Sequence, residues 1–208
     1  QEELEAYDIV ELDLEQLSKK ERKFARDYYR EFLLPVLSPQ VIDARHPFPH
    51  LQNKALYIAM KLTDENGETL MGIVPLPEKA PEVIADSDHP GHFVRTADII
   101  IHNLGKLFDI YTVSSPVVLS VRRNADISFD EEKFDDDESD YRMHVSKLLK
   151  KRNRLNPVCL EVRGELDKEV RGVLLERLEL NKNQILTYSA PIAIQGVFGM
   201  ERGLDPAL

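Results

Sequence analysis

Four prolines fall between residues 35 and 49 (Pro35, Pro39, Pro47 and Pro49), and no other feature restricts the backbone of this chain as severely. Each ring holds φ near about −65° and pushes the preceding residue out of the α region. The stretch from Leu33 to Pro49 is therefore expected to be a stiff, extended connector that leaves a helix and leads to a strand starting near Leu56.

The helix before the connector has its start written in Ser18-Lys19-Lys20-Glu21, the spacing of a capping box. The pattern predicts a helix over residues 18 to 34. Leu17 stands ahead of it, Phe24, Tyr28 and Phe32 lie along its apolar face, and Pro35 ends it. After the connector, residues 56–62 and 70–76 read as strands flanking Asp64-Glu65-Asn66-Gly67-Glu68. Asn-Gly is the strongest short hairpin signal because both residues tolerate positive φ. Residues 77–92, with their prolines and Ser-Asp-His-Pro-Gly-His tract, read as an exposed loop. Thr96 is the expected N-cap of a second helix with Ile100, Leu104, Leu107 and Phe108 on one face. Strands follow at 116–123, 158–163 and 185–188. Helices are expected near 139–153 and 167–180, the latter capped by Asp167 with Val170, Leu174 and Leu178 inward. The fold class expected from this order is α+β, close to α/β: a mixed β-sheet containing an antiparallel hairpin, covered by helices and preceded by an N-terminal helix.

At 208 residues the chain suits one domain with a helical leader. It opens Gln1-Glu2-Glu3-Leu4 with no initiator Met, which reads as a piece of something longer. No apolar run approaches the roughly 20 residues that cross a bilayer, and the lone Cys159 lies in a strand pattern, so a half-buried structural thiol is expected. A cytoplasmic location follows as the expectation. A formal charge of −10 argues against a broad polyanion-binding surface and against a nucleic-acid partner.

Among candidate site residues, His46 and His50 are four apart and His89 and His92 three apart, but Pro47, Pro49, Pro90 and Gly91 exclude a helix at both pairs. No metal site is expected. His46 should hydrogen-bond within the connector, and the second pair should face solvent. Arg122-Arg123-Asn124-Ala125-Asp126 leaves a strand with its two arginines on opposite faces. One of them could offer its planar fork to a phosphate oxygen. The competing and weightier reading is an ion pair with Asp126 while Asn124 turns the chain. The acidic tract 130–140 lacks the glycine and oxygen spacing of a calcium loop and reads as a solvated loop facing the basic segment 142–154 that follows. Gly196 and Gly199 fit no phosphate-binding fingerprint, and Ser114-Ser115 has no nucleophile-elbow setting, so no catalytic residue is assigned.

The run Phe32-Leu33-Leu34-Pro35-Val36-Leu37-Ser38-Pro39, followed by Ile42-Asp43-Ala44-Arg45-His46-Pro47-Phe48-Pro49, closely resembles the start of the head, or middle, domain of bacterial polyphosphate kinase. Ile101-His102-Asn103-Leu104, Arg122 to Asp126 and Pro157-Val158-Cys159-Leu160-Glu161-Val162 then fall in the order that family requires. The resemblance implies a division into a helical leader at 1–37 joining an N-terminal domain, the head domain at 38–199, and the start of a linker to catalytic domains at 200–208. It implies a parent enzyme that transfers the terminal phosphate of ATP reversibly to inorganic polyphosphate. Transfer would run through a phosphohistidine in C-terminal domains, with Mg²⁺ neutralising phosphate charge. This segment would then be non-catalytic and hold no cofactor itself. Its partners would be the other domains of its chain, a second copy in a homo-oligomer, and the polyphosphate whose passage it helps shape. His46, Pro47, Phe48, Pro49, Asn124 and Asp126 would carry structure, and Arg122 and Arg123 would be the points of polyphosphate contact. The location would be cytoplasmic or peripheral to the inner membrane. The alternative is an independent adaptor that docks a protein through the connector or the acidic loop.

Overall fold

The computed structural model describes residues 9–15, 17–43, 46–85, 91–124 and 155–193. A six-stranded sheet runs in the order β2 (Gln40–Ile42), β4 (Thr69–Pro75), β3 (Leu56–Thr63), β7 (Thr112–Arg123), β8 (Pro157–Arg163), β9 (Ile185–Tyr188). All its pairings are antiparallel except β8 with β9. A smaller sheet orders β1 (Val10–Glu11), β6 (His92–Arg95) and β5 (Val83–Ala85), with β1 parallel to β6. The expected α+β class with a mixed sheet, a hairpin and a leading helix is what the chain forms.

Two-residue alternation along the central strands divides the core. Ile58, Met60, Leu62, Val74 and Val118 face one cluster, covered by α1 (Lys19–Tyr28) and α2 (Thr96–His102). Tyr57, Ala59, Met71, Leu119, Val121, Leu160 and Val162 face the other, covered by α4 (Lys168–Leu178) through Val170, Leu174 and Leu178. The short α3 (Leu104–Leu107) follows α2 and packs against it and β7. Gly72 in β4 is required by close approach, since a Cβ there would meet Leu62 Cδ1 and Met60 Cγ at 2.9 Å.

The capping box of α1 forms as the sequence spells it. The Ser18 amide donates to Glu21 Oε2 at 2.8 Å and the Glu21 amide to Ser18 Oγ at 3.3 Å, which holds the Glu21 carboxyl below the ordinary glutamate range. The helix then departs from expectation. It continues as a π turn over Tyr29–Leu33 and a 3₁₀ turn over Leu34–Val36, so Pro35 sits inside a tightened end and does not stop the helix before itself. The first residues of a 3₁₀ turn need no amide donor, which is what proline lacks. The buried face is Ala25, Tyr29 and Leu33, one residue on from the aromatic set. Phe24, Tyr28 and Phe32 stack on one another along the flank, with centroids 6.5 and 5.2 Å apart and Phe32 61% exposed. The smaller i, i+4 set wins because the helix must sit close to the sheet, and three rings side by side would hold it away. Tyr29 is 2% exposed and its hydroxyl has no partner among the described residues. Tyr29→Phe should therefore raise the unfolding free energy by about 1 kcal/mol, readable as a higher midpoint in urea at unchanged slope; a loss would show that the hydroxyl is satisfied.

Other expectations need correction. In the 64–68 turn only Gly67 has positive φ (80°). The antiparallel hairpin forms as expected, and Asp64 organises its turn, its carboxylate accepting from the amides of Asn66 and Glu68. Within the expected loop 77–92, Val83 and Ile84 are buried in β5, and the apolar Val-Ile pair outweighs the surrounding prolines. Thr96 is the first helical residue and not the cap; Arg95 holds the cap position while the Thr96 hydroxyl donates to the Pro81 carbonyl. The connector is not extended throughout, because Leu34–Val36 forms a 3₁₀ turn, and it is not free-standing, because Gln40–Ile42 pairs with β4 as an edge strand. The seventh strand begins at Thr112, before Pro116. The pairing with β3 shifts there and Ser115 takes φ 49°, a bulge that accommodates the missing proline donor. The expected helix near 139–153, the acidic tract and His89 lie outside the described residues.

Candidate functional site

Arg122 and Arg123 end β7, and the pleat sends them to opposite faces as expected. On one face Arg122 meets Glu161 of β8 as a fork: Nε to Oε2 at 2.6 Å and Nη2 to Oε1 at 3.1 Å. Ser120 is the residue directly opposite Glu161, so the fork is a diagonal cross-strand contact. The hydrogen bond to Glu161 raises the Arg122 pKa further. The expected partner Asp126 lies outside the described residues. The carboxylate found is Glu161, whose side chain is 10% exposed against 40% for Arg122.

On the other face Arg123 is a clamp. Its Nε donates to the Leu51 carbonyl at 2.9 Å and its Nη1 to the Leu155 carbonyl at 2.8 Å, while its backbone amide donates to Asn53 Oδ1 at 3.0 Å. Burial lowers its pKa, which marks a guanidinium held among carbonyls. Asn124 does not turn the chain at once: its amide donates to the Asn156 carbonyl and prolongs the β7–β8 ladder.

The connector reaches this clamp. Asp43 Oδ1 accepts from the His46 amide at 2.7 Å and lies 2.9 Å from His46 Nδ1, so His46 closes a local turn while its ring stays 70% exposed. Pro47 is exposed, Phe48 and Pro49 half-buried, and Phe48 packs on the cluster beneath α4. Leu51 is fully buried, and the Gln52 amide donates to the Tyr57 hydroxyl. The turn at Gln52 to Ala55 forms one wall of a cleft of about 620 Å³ whose other walls are Tyr57, the Pro75 to Val83 segment and Thr96. His92, expected in solvent, is 23% exposed and 3.5 Å from Glu21, because β6 carries it under the start of α1.

The remaining strand cations are engaged in the same way. Arg95 forks onto Glu11 at 2.6 and 3.0 Å, Arg163 pairs with Asp98, and Lys61 lies 2.7 Å from Glu169. Burial raises the Asp98 carboxyl despite Arg163 beside it. Cys159 is half-buried as expected, and burial raises its thiol pKa although Arg122 stands across from it. The Glu161 carboxylate occupies Arg122 Nε and Nη2, and the Leu51 and Leu155 carbonyls occupy Arg123 Nε and Nη1, so the Nε donor of each fork is already engaged. Sequence reading missed Glu161, Asn53 and Leu51. A signal for the first existed: a Glu inside an otherwise apolar strand needs a cation on the neighbouring strand.

Residues 20–200 match the family described as the polyphosphate kinase middle domain. The chain is 35% identical over 211 residues to a polyphosphate kinase of Bacillus cereus, covering 98% of this chain and 30% of that protein. It is 31% identical over 200 residues to the polyphosphate kinase of Halalkalibacterium halodurans, covering 94% of this chain and 28% of that one. The crystal structure of polyphosphate kinase from Porphyromonas gingivalis superposes with a TM-score of 0.72 at 14% identity, over 99% of this chain and 28% of that one, a likeness of fold. The chain thus spans about 30% of the length of the Bacillus cereus relative.

Proposed function

Because the chain belongs to the polyphosphate kinase family, in the region of its middle domain, we propose that it is the non-catalytic head of an enzyme that transfers the terminal phosphate of ATP reversibly to inorganic polyphosphate. The observation that carries this reading is the use to which the strand cations are put. Arg95, Arg122, Arg163 and Lys61 each close on a carboxylate from another element, and Arg123 closes on two carbonyls. These groups brace the fold, and among the described residues no reactive constellation stands at the sheet ends.

In this reading the phosphohistidine forms on other domains of the parent. A histidine nitrogen there takes the phosphoryl group from ATP, ADP departs, and the terminal oxygen of the polymer takes the phosphoryl in turn. Among the described residues no three His, Cys, Asp or Glu side chains gather as a metal ion requires. The reading assigns Mg²⁺ and the nucleotide to the parent's remaining domains and routes no step through this chain. The head's role is scaffolding: packing between domains, support of a homo-oligomer and shaping of the passage for polyphosphate, in a cytoplasmic enzyme. Phe32, Leu34 and Val36, exposed by 61%, 44% and 59% beside the connector, support the packing role, since apolar side chains grouped this way mark a surface that another domain covers.

The test compares the 208-residue chain with a longer polypeptide that carries the family's remaining domains. Incubated with radioactive ATP and Mg²⁺, the longer protein should become labelled and form polyphosphate, and the 208-residue chain should do neither. Labelling of the short chain itself would overturn the reading.

A further inference from the structure

Lys19, Lys23, Arg26 and Arg30 occupy positions i, i+4, i+7 and i+11 of α1 and its π continuation, and all four are exposed. At 3.6 residues per turn they fall within a sector about 60° wide, and at 1.5 Å per residue they extend over about 16 Å. The core side of the helix is Ala25, Tyr29 and Leu33, and the aromatic stack occupies the other flank, so the cations form a separate stripe. Their state differs from that of the strand cations. Lys19, Lys23 and Arg30 make no ion pair among the described residues. Arg26 has only its neighbour Asp27 at 3.5 Å, with side chains 57% and 41% exposed.

Local helix energetics do not account for this arrangement. Like charges at i, i+4, as in Lys19–Lys23 and Arg26–Arg30, repel, and lysine in the first turn opposes the helix dipole. In a chain of net charge −10, glutamate would serve solubility and the helix start better. A linear polyanion matches a linear row of fixed cations, whereas a compact anion would engage one or two of them.

We propose that the Lys19–Lys23–Arg26–Arg30 stripe of α1 is a contact site for inorganic polyphosphate running along the helix. The choice of ligand rests on the reading above, in which the parent's product is this polymer. The site supplies electrostatic guidance at the domain surface and takes no part in phosphoryl transfer.

The test uses the 208-residue chain titrated with long-chain inorganic polyphosphate at low ionic strength, with orthophosphate and duplex DNA as comparators. Polyphosphate should bind, orthophosphate should not compete, and log K should fall with log salt at a slope of about −3, near 0.7 per cation as for a flexible single strand. Lys23→Gln with Arg30→Gln, which preserves helix propensity, should weaken binding about tenfold and halve the slope. Lys79→Gln with Lys182→Gln, an equal charge change elsewhere, should cost less than twofold. Lys23→Gln alone gives a milder variant, and far-ultraviolet circular dichroism confirms each fold. Absence of binding, equal losses from both pairs, or equal affinity for DNA would overturn the proposal. If the longer polypeptide forms polyphosphate while the chain binds none, this inference fails and the reading of the parent stands.

Discussion

Replacing Arg122 with alanine should lower the unfolding free energy by about 3 kcal/mol, roughly twice the loss expected for Glu161→Ala. The asymmetry comes from exposure. Arg122 is 40% exposed, so removing Glu161 leaves a guanidinium that water can reach; Glu161 is 10% exposed, so removing Arg122 leaves a carboxylate shut in the sheet without a cation. Breaking one side of a buried pair is costly mainly through the charge left behind. The double variant Arg122→Met, Glu161→Leu should return to within about 1 kcal/mol of the parent chain, because the buried charge is gone and apolar contact takes its place. Urea denaturation of the three variants measures this. Equal losses for the two single variants would remove the argument from exposure, and a loss below about 0.5 kcal/mol for Arg122→Ala would show that the fork adds nothing to the fold.

The elements legible from sequence were those whose determinants are local. The Ser18 to Glu21 cap, the hairpin around Gly67, the Asp167 cap with its Val170, Leu174 and Leu178 face, and strand β9 all follow from spacing within a few residues. What was misread depends on contacts distant in sequence. β5 is a strand because β6 lies beside it, and Gln40–Ile42 is a strand because β4 offers an edge. The face of α1 is set by how closely the sheet lets it approach, so small Ala25 faces inward and Phe24 does not. The candidate site was half legible. Opposite facing of Arg122 and Arg123 follows from the pleat alone, whereas their partners lie 39, 72 and 32 residues away along the chain and carry no local signature. The nearest acid in sequence, Asp126, drew the reading away from Glu161. The cations of α1 and its continuation were visible as composition, but that Lys19, Lys23 and Arg30 make no ion pair among the described residues while the strand cations are engaged is a fact of the folded chain.

Arg123 gives the sharpest division between a bracing and a ligand-binding arginine, because the two roles predict opposite patterns. As a clamp it ties the connector at Leu51 and the chain at Leu155 to the end of β7. Arg123→Ala should therefore cost about 2 to 3 kcal/mol, the sum of two charged hydrogen bonds lost and two carbonyls, those of fully buried Leu51 and half-buried Leu155, left without that donor. The connector should also become the first site of limited proteolysis, since its anchor at Leu51 depends on that donor while the Asn53 contact uses only the backbone amide of residue 123. Arg123→Lys should recover little of the loss, because one ammonium cannot span two carbonyls that a planar fork reaches together. An arginine kept for polyphosphate would behave otherwise. Its replacement would leave the urea midpoint and the protease pattern unchanged and would lower affinity for the polymer alone. Titration of Arg123→Ala with polyphosphate, at a temperature where the variant remains folded, completes the comparison: unchanged affinity beside a large loss of stability places this residue in the frame of the domain.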